Sequence, residues 1–350
     1  MMKTKAFAFF TLAVLVLNLT GLTFADTRRA KSKKRQSNSL VALLPASDGV
    51  ATFDTKRFFN DALPKVLSAN QPMLGKIMLK VNEMSNTTGI DLRKFDHVAV
   101  GIAMKQVTAK NVDLDLVAIT RGDINAGALI AIAKLASNGA YREEKIGETT
   151  AYVFNAKDAI KKNAPQTANA AKHDIFDRAI DNLTEELAVA SLDRNTLVIG
   201  SLDRVKQTLE RQTTIAPDIT ALLSSKESSV FTFALRTPDG LAKLMPLESD
   251  ELGKNIDSIR YLAGSMDVAA AGATVAVMVR TQKPEQAKGL SDMLEGLQMF
   301  GKILSSSKRA DQKIYGRMVE NARIAHSGND VTLDLLVPQA DIDVIVATIK

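Results

Sequence analysis

The 350-residue sequence contains no cysteine at all. Disulfide bonds, thiol nucleophiles and thiolate metal sites are therefore excluded. Tryptophan is also absent and aromatic residues make up only 5% of the chain, so aromatic cages and base-stacking platforms have few side chains to use. Apolar residues at 46% and charged residues at 24% are ordinary values for a globular protein, whose stability must here come from burial.

Histidine is scarce as well, because His97, His173 and His326 are the three histidines of the chain. A zinc site needs several ligands at short spacing on one face, and neither HExxH nor His-x-His occurs. We interpret the three as surface or turn residues. From the sequence we assign no catalytic residue, no metal ligand and no cofactor.

Two short motifs resemble sites of known chemistry without completing them. Residues 296–302, GLQMFGK, match most of a phosphate-binding loop, but Ile303 stands where Ser or Thr would hold magnesium. The segment also continues an amphipathic helix. Ser305 and Lys308 spell S-x-x-K, yet the companion S-D-N and K-T-G motifs of serine acyl-enzymes are missing.

Asp113 and Asp115 lie two apart on a predicted strand, so both side chains point to the same side. Paired carboxylates bind calcium or serve glycoside hydrolysis. The polar face of a half-buried strand is the simpler interpretation. An envelope hydrolase with a carboxylate-based site stays open as an alternative function.

The N-terminus has the order of a secretory signal. Lys3 and Lys5 precede an apolar run over residues 6–17, and a more polar stretch ends in the small residues Thr23 and Ala25. This predicts a signal peptide over residues 1–25. An uncleaved membrane anchor is the alternative, because residues 6–25 are about long enough to span a bilayer.

A basic segment follows the predicted cleavage site. Residues 26–39 carry six basic side chains against Asp26, and we predict a disordered linker there. Lys3, Lys5 and this linker account for more than the whole net charge of +6, so residues 40–350 carry −1. The folded part therefore gives no electrostatic reason to expect nucleic acid, whereas the linker is able to touch anionic surfaces.

Hydrophobic patterning divides the rest into two α+β units, at residues 40–226 and 227–350. In the first unit, alternation predicts strands at 50–53, 97–104 and 112–120 and hairpins at 141–154 and 187–200, with a helical insert near 156–185. In the second, we predict strands at 230–235, 262–270, 274–280, 314–325 and 331–337. Helices are predicted at 284–304 and 342–349.

Two local matches indicate that the units are related. Residues 113–123, DLDLVAITRGD, parallel residues 273–283, ATVAVMVRTQK, and residues 193–205 parallel 328–342. Both pairs share the order strand then helix. We predict an α+β fold of two related units with mainly antiparallel sheet and helices packed on one face.

Five methionines occupy predicted apolar helix faces. Methionine-rich surfaces accept varied apolar ligands, although such residues more often fill a core. An apolar ligand or a protein partner therefore stays open. These methionines are Met73, Met78, Met84, Met293 and Met299.

Two stretches carry a family resemblance. They are residues 44–48, LPASD, before a strand and helix, and residues 88–100, TGIDLRKFDHVAV. Together they resemble a family of exported bacterial proteins with two related α+β units and no assigned activity. The resemblance implies an envelope or secreted location and carries over no catalytic residue.

These patterns favour an exported, non-enzymatic binding or scaffolding protein, in the periplasm or outside the cell. An uncleaved N-terminal helix would instead make the chain a membrane-tethered partner protein. Ligand, partner and oligomeric state do not follow from the residues.

Overall fold

The structure is a computed structural model and describes residues 39–108, 111–155, 186–211, 214–224, 229–239, 250–306 and 310–347. The predicted signal peptide at 1–25, the predicted linker up to residue 38 and the predicted insert near 156–185 lie outside the described residues. Within the described part, twelve strands form a single antiparallel sheet in the order β11-β12-β10-β9-β8-β1-β2-β3-β7-β6-β5-β4. The predicted α+β class is confirmed.

The first half of the chain supplies seven strands of this sheet. They are β1 (Gly49–Asp54), β2 (Phe95–Thr108), β3 (Asn111–Gly122), β4 (Tyr141–Ile146), β5 (Thr149–Asn155), β6 (Glu186–Asp193) and β7 (Thr196–Gly200). Its helices are α1, composed of Thr55–Arg57, Phe58–Ala62 and Leu63–Val66, then α2 (Gln71–Thr88), α3 (Ala126–Ala136), α4 (Leu202–Glu210) and α5 (Pro217–Ser224).

The second half supplies the other five strands and four helices. The strands are β8 (Phe231–Arg236), β9 (Ile259–Ala269), β10 (Gly272–Thr281), β11 (Arg323–Ser327) and β12 (Asp330–Pro338). The helices are α6 (Asp250–Asp257), α7 (Pro284–Ser305), α8 (Ala310–Asn321) and α9 (Gln339–Ala347).

The two halves repeat one strand order around the β1–β8 pair. From β1 outward the order is β1-β2-β3-β7-β6, and from β8 outward it is β8-β9-β10-β12-β11. Thr52 and Thr232 face each other at the centre, with their hydroxyl oxygens 2.6 Å apart. The two sequence matches fall on equivalent elements, β3 with β10 and β7–α4 with β12–α9.

Helix boundaries follow local chemistry. Asp54 begins α1, because its carboxylate accepts a hydrogen bond from the backbone N–H of Arg57 at 2.8 Å. Within α1, the turn Phe58–Ala62 is π-helical and leads into Pro64, which has no N–H to continue the α pattern. Asn70 caps α2, and Gly89 ends it with φ of +72°.

Both faces of the sheet are covered, but by different helices. On one face, residues 40–44, α4 and α5 pack on Val50, Val117, Val198 and their neighbours. On the other face lie α1, α2 and α9 in one cluster, α3 in a second and α7 in a third. Most helices therefore share the second face.

The strand predicted over residues 314–325 is wrong for most of its length. Residues 310–321 form α8, and only Arg323–Ser327 is a strand. Ile314 is buried and Met318 packs against the α1–α2–α9 cluster one turn later, which is helical spacing. Gly301 allows the approach of α8, since a Cβ there would lie 2.8 Å from a methyl group of Val319.

Candidate functional site

The two histidines of the described residues lie on different strands, β2 and β11. His97 is on β2, with its Nδ1 4.0 Å from a carboxylate oxygen of Asp54. His326 is exposed on the edge strand β11, and His173 lies outside the described residues. In the described part of the chain, no group of three or more His, Asp or Glu side chains is placed to hold a metal ion.

The two incomplete motifs fall on helix α7. Residues 296–302 lie within the continuous helix Pro284–Ser305 and form no loop that could wrap a phosphate. Ser305 donates its hydroxyl to Glu320 of α8 at 2.9 Å. Lys308 lies outside the described residues.

The carboxylates of β3 have different surroundings. Asp113 is exposed, as expected for the wet side of a strand, but Asp115 is only 2% exposed. Its Oδ2 lies 2.7 Å from the ammonium of Lys105 on β2. Lys105 therefore neutralises the buried charge of Asp115, and Asp115 does not form a shared open site with Asp113.

Arg204 of α4 lies in the same buried region and explains the LPASD motif. Its guanidinium donates to the carbonyl of Ala46 at 2.7 Å, to the hydroxyl of Ser47 at 2.5 Å and to Gln207 at 2.9 Å. Burial lowers the pKa of Arg204, and the negative charges of Asp115 and Asp48 oppose this shift. The motif thus anchors α4 to the sheet and has a structural role.

The five methionines do not form one surface. Met73 and Met78 pack against the α1–α2–α9 cluster, and Met293 packs against the α7 cluster. Met84 is half-buried. Met299 is 68% exposed and lines a cavity of about 780 Å³ between α7 and the start of β11.

The surface that stands out is on the sheet itself, where two neighbouring rows of residues are entirely apolar. Residues directly opposite each other in an antiparallel sheet share a face, so the pairing register defines each row. The first row is Ile199, Ala118, Val100, Ala51, Phe233, Gly264 and Val277. The second row is Leu116, Ile102, Gly49, Leu235 and Leu262. We call these twelve residues the apolar sheet face.

Most of the larger side chains of this face are incompletely covered, although Leu235 is buried with 7% exposure. Leu116 is 39% exposed. The half-buried members are Ala51, Val100, Ile102, Ala118, Ile199, Phe233, Leu262 and Val277. Among the described residues, none of the twelve belongs to any of the four apolar core clusters.

Helices border the apolar sheet face. Phe53, next to its first row on β1, packs in the α1–α2–α9 cluster. Val279, two residues beyond Val277 on β10, packs in the α7 cluster. Leu197, two residues before Ile199 on β7, packs under α3. The rows therefore run between bordering helices, on the sheet face that carries most of them.

Two glycines of this face leave room for neighbouring side chains. A Cβ on Gly264 would lie 2.6 Å from the ring of Phe233, so that ring lies across the glycine. A Cβ on Gly49 would lie 2.9 Å from the Cβ of Leu235.

Sequence reasoning missed this face. It identified the strands, but β2 and β10 are apolar on both sides, so their pattern does not show which side a helix covers. The two sides of these strands can be told apart only when the pairing register with the neighbouring strands is known. The signal in the sequence was the double-sided apolar character of residues 98–102 and 275–279.

None of the helices in the described part is long and apolar enough to cross a membrane.

No protein-family model and no curated protein matches the sequence. Among solved structures, the chain is similar to TP0453 in crystal forms I, IV and III, at 11%, 10% and 9% identity. The TM-scores are 0.41, 0.43 and 0.43, over 88% of this chain and 96%, 96% and 98% of that chain.

Proposed function

We propose that this chain is an exported, non-enzymatic binding protein of the bacterial envelope and that its apolar sheet face takes an apolar ligand, namely a hydrocarbon chain. The observation that carries the proposal is the pair of apolar rows, which join no core cluster among the described residues. Contiguous, incompletely covered apolar surface is typical of binding sites, because its exposure to water is unfavourable.

The dimensions support an elongated ligand. The first row crosses seven strands, and six inter-strand steps of about 4.8 Å give a length of about 29 Å. All twelve positions are apolar, so no buried polar group of the protein would be left unpaired beneath a hydrocarbon. The bordering helices would keep such a ligand on the sheet.

A binding experiment tests the site. We expect a dansyl-labelled undecanoic acid to bind the mature chain, with enhanced emission as the probe leaves water. Leu116→Asp should weaken this binding at least tenfold, because it places a carboxylate in the apolar rows. The measurement is a fluorescence titration at neutral pH.

Leu336→Asp is the matched control. Leu336 is 46% exposed, compared with 39% for Leu116, and it lies on β12 where the alternation directs it to the opposite face. The control should bind the probe as the unmodified chain does. Equal weakening by both substitutions, or no binding by the unmodified chain, would contradict the proposed site.

Export is supported by the sequence of residues 1–25, with its basic start, apolar run and small residues before Asp26. Intact-mass measurement of the chain produced in a bacterial host should give a mature form that begins at Asp26. A full-length product in the cytoplasm would contradict export and leave the binding test unaffected.

A further inference from the structure

A second site is indicated at the rim of the sheet, on the face that also carries α5. Here a cavity of about 500 Å³ is lined by Arg236, Thr237, Asp239, Arg260, Tyr261 and Gln282. We call it the arginine pocket. It is separate from the apolar sheet face and independent of the proposed function.

An irregularity in strand pairing builds this pocket. Tyr261 pairs with Arg280, but the next pair is Ile259 with Thr281, so Arg260 is an extra residue on β9. Such a bulge changes the direction of a side chain and is common beside binding sites. Arg260 thereby lines the same cavity as Tyr261 and as Arg236, which pairs with Tyr261 from β8.

The guanidinium of Arg260 contacts two side chains and, at 3.4 Å, the backbone carbonyl of Asp257. Its Nη1 donates to Asp239 at 3.0 Å, and its Nη2 donates to the side-chain oxygen of Gln282 at 3.2 Å. The Asp239 side chain is 94% exposed, so this ion pair is weak. A stronger oxyanion in the cavity can replace Asp239 at little cost.

Arg236 is oriented on the other side of the pocket. Its Nη2 lies 3.5 Å from Asp218, and that carboxylate already accepts the hydroxyl of Tyr261 and the backbone N–H of Ile219. The guanidinium is 5.9 Å from the centre of the Tyr261 ring. Arg236 is therefore positioned by its neighbours while its side chain remains about half exposed.

A nearby arginine, Arg280, forms a bidentate ion pair. It makes two hydrogen bonds to Asp330, at 2.6 and 2.8 Å, so its guanidinium is already bound to a carboxylate. Neither Arg236 nor Arg260 has such a two-bond carboxylate partner among the described residues. Arg236 and Arg260 are therefore the arginines in the lining of this pocket that a ligand can contact.

We propose that the arginine pocket binds a small phosphate monoester, with its phosphate held between Arg236 and Arg260. Guanidinium groups match the oxygen spacing of phosphate and bind it through paired hydrogen bonds. The lining side chains carry two positive charges and one negative charge, and the negative one is the exposed Asp239. A cavity of about 500 Å³ has room for an ester group beside the phosphate.

Calorimetric titration of the mature chain tests this inference. We expect sn-glycerol 3-phosphate to bind more tightly than inorganic phosphate, and neither glycerol nor glycerate to bind comparably. Inorganic phosphate binding as tightly as the ester would show that the free ion is recognised and would overturn the ester assignment. Equal binding of glycerate would overturn the choice of phosphate.

Substitutions locate the site. Arg236→Gln and Arg260→Gln should each weaken binding at least tenfold, since each removes charge-assisted hydrogen bonds. Arg323→Gln is the matched control, because it removes one exposed arginine from the edge strand β11, outside the arginine pocket. Unchanged affinity in both pocket variants, or equal loss in the control, would overturn the assignment.

Asp239→Asn should change the affinity in the opposite direction, toward tighter binding, which a folding defect would not produce. Removal of this competing carboxylate should tighten binding of the ester by about two- to fivefold, the value of an exposed ion pair. Weaker binding by this variant would contradict the role of Asp239 as the group that the phosphate replaces.

Discussion

At the scale of single residues, Arg204 is a buried charge that joins α4 to the LPASD motif. It is 4% exposed, lies beside the buried Asp115 and donates to residues of the LPASD motif. Gly101 makes room for this contact, because a Cβ there would lie 2.6 Å from the Ser47 hydroxyl. The motif was recognisable in the sequence, but its partner on α4 lies about 160 residues away and could not be inferred from the motif.

We expect Arg204→Met to destabilise the protein by about 3 kcal/mol, because removal of one partner leaves a buried opposite charge poorly compensated. Lys105 still neutralises Asp115, which keeps the loss at the lower end for buried pairs. Urea unfolding followed by circular dichroism measures the change. Lys206→Met on the exposed side of α4 is the control, and an equal loss there would refute the special role of Arg204.

Gly264 gives a second prediction at this scale. Because a Cβ would overlap the Phe233 ring, Gly264→Ala should destabilise the fold by about 1–3 kcal/mol through overpacking. Phe233→Leu removes the ring atoms involved, so the double variant should lose less stability than the sum of the single ones. Additive losses in urea unfolding would show that the ring does not lie across the glycine.

At the scale of elements, the first turn of α5 is tied to the sheet by Asp218. The hydrogen bond from Tyr261 lowers the pKa of Asp218 below its ordinary value of 3.8, and Ile219 N–H and Arg236 act in the same direction, against burial. A carboxylate with a lowered folded-state pKa stabilises the fold above its unfolded pKa. That contribution is lost as pH falls through the folded-state pKa.

We therefore expect Asp218→Asn to be less stable than the unmodified chain at pH 7, with a difference that shrinks below pH 3.8. Urea unfolding at pH 7 and pH 3 measures both values. Asp292→Asn is the control. Asp292 is exposed, and its i,i+4 ion pair with Lys288 contributes only a few tenths of a kcal/mol to stability. A difference for Asp218→Asn that grows toward low pH would contradict the assigned direction.

Helices and strands could be predicted from the sequence where their residue pattern depends only on near neighbours in the chain. The hairpin of β4 and β5 and the helix α7 follow from turn residues and from apolar spacing over several turns. Helix α8 was mistaken for a strand because Ile314 and Tyr315 favour strands locally, while the contact of Gly301 with Val319 that places it against α7 is tertiary. The apolar sheet face was missed for a related reason, since helix placement decides which side of a strand is covered.

At the scale of the whole molecule, the two halves repeat one strand order and join in a single sheet. Each half places its first strand at the centre, so β1 and β8 would be exposed edges if the halves were separate. The core around α5 already crosses the boundary, because Ile219 and Leu222 share a cluster with Ala234 and Ala263. The sequence matches indicated two related units, but they did not indicate that one sheet joins them.

This joint predicts that both halves unfold together, although chains of this length often unfold in steps. The absence of tryptophan allows a direct measurement, since one introduced tryptophan reports on one half. Tyr152→Trp lies on β5 and Met293→Trp lies on α7, and each side chain is half-buried. We expect the fluorescence midpoint of each variant in urea to coincide with the midpoint of its own circular dichroism. If Met293→Trp reported a transition separate from that of the whole molecule, the β1–β8 pair would not couple the halves, and each would have to be stable with its central strand exposed.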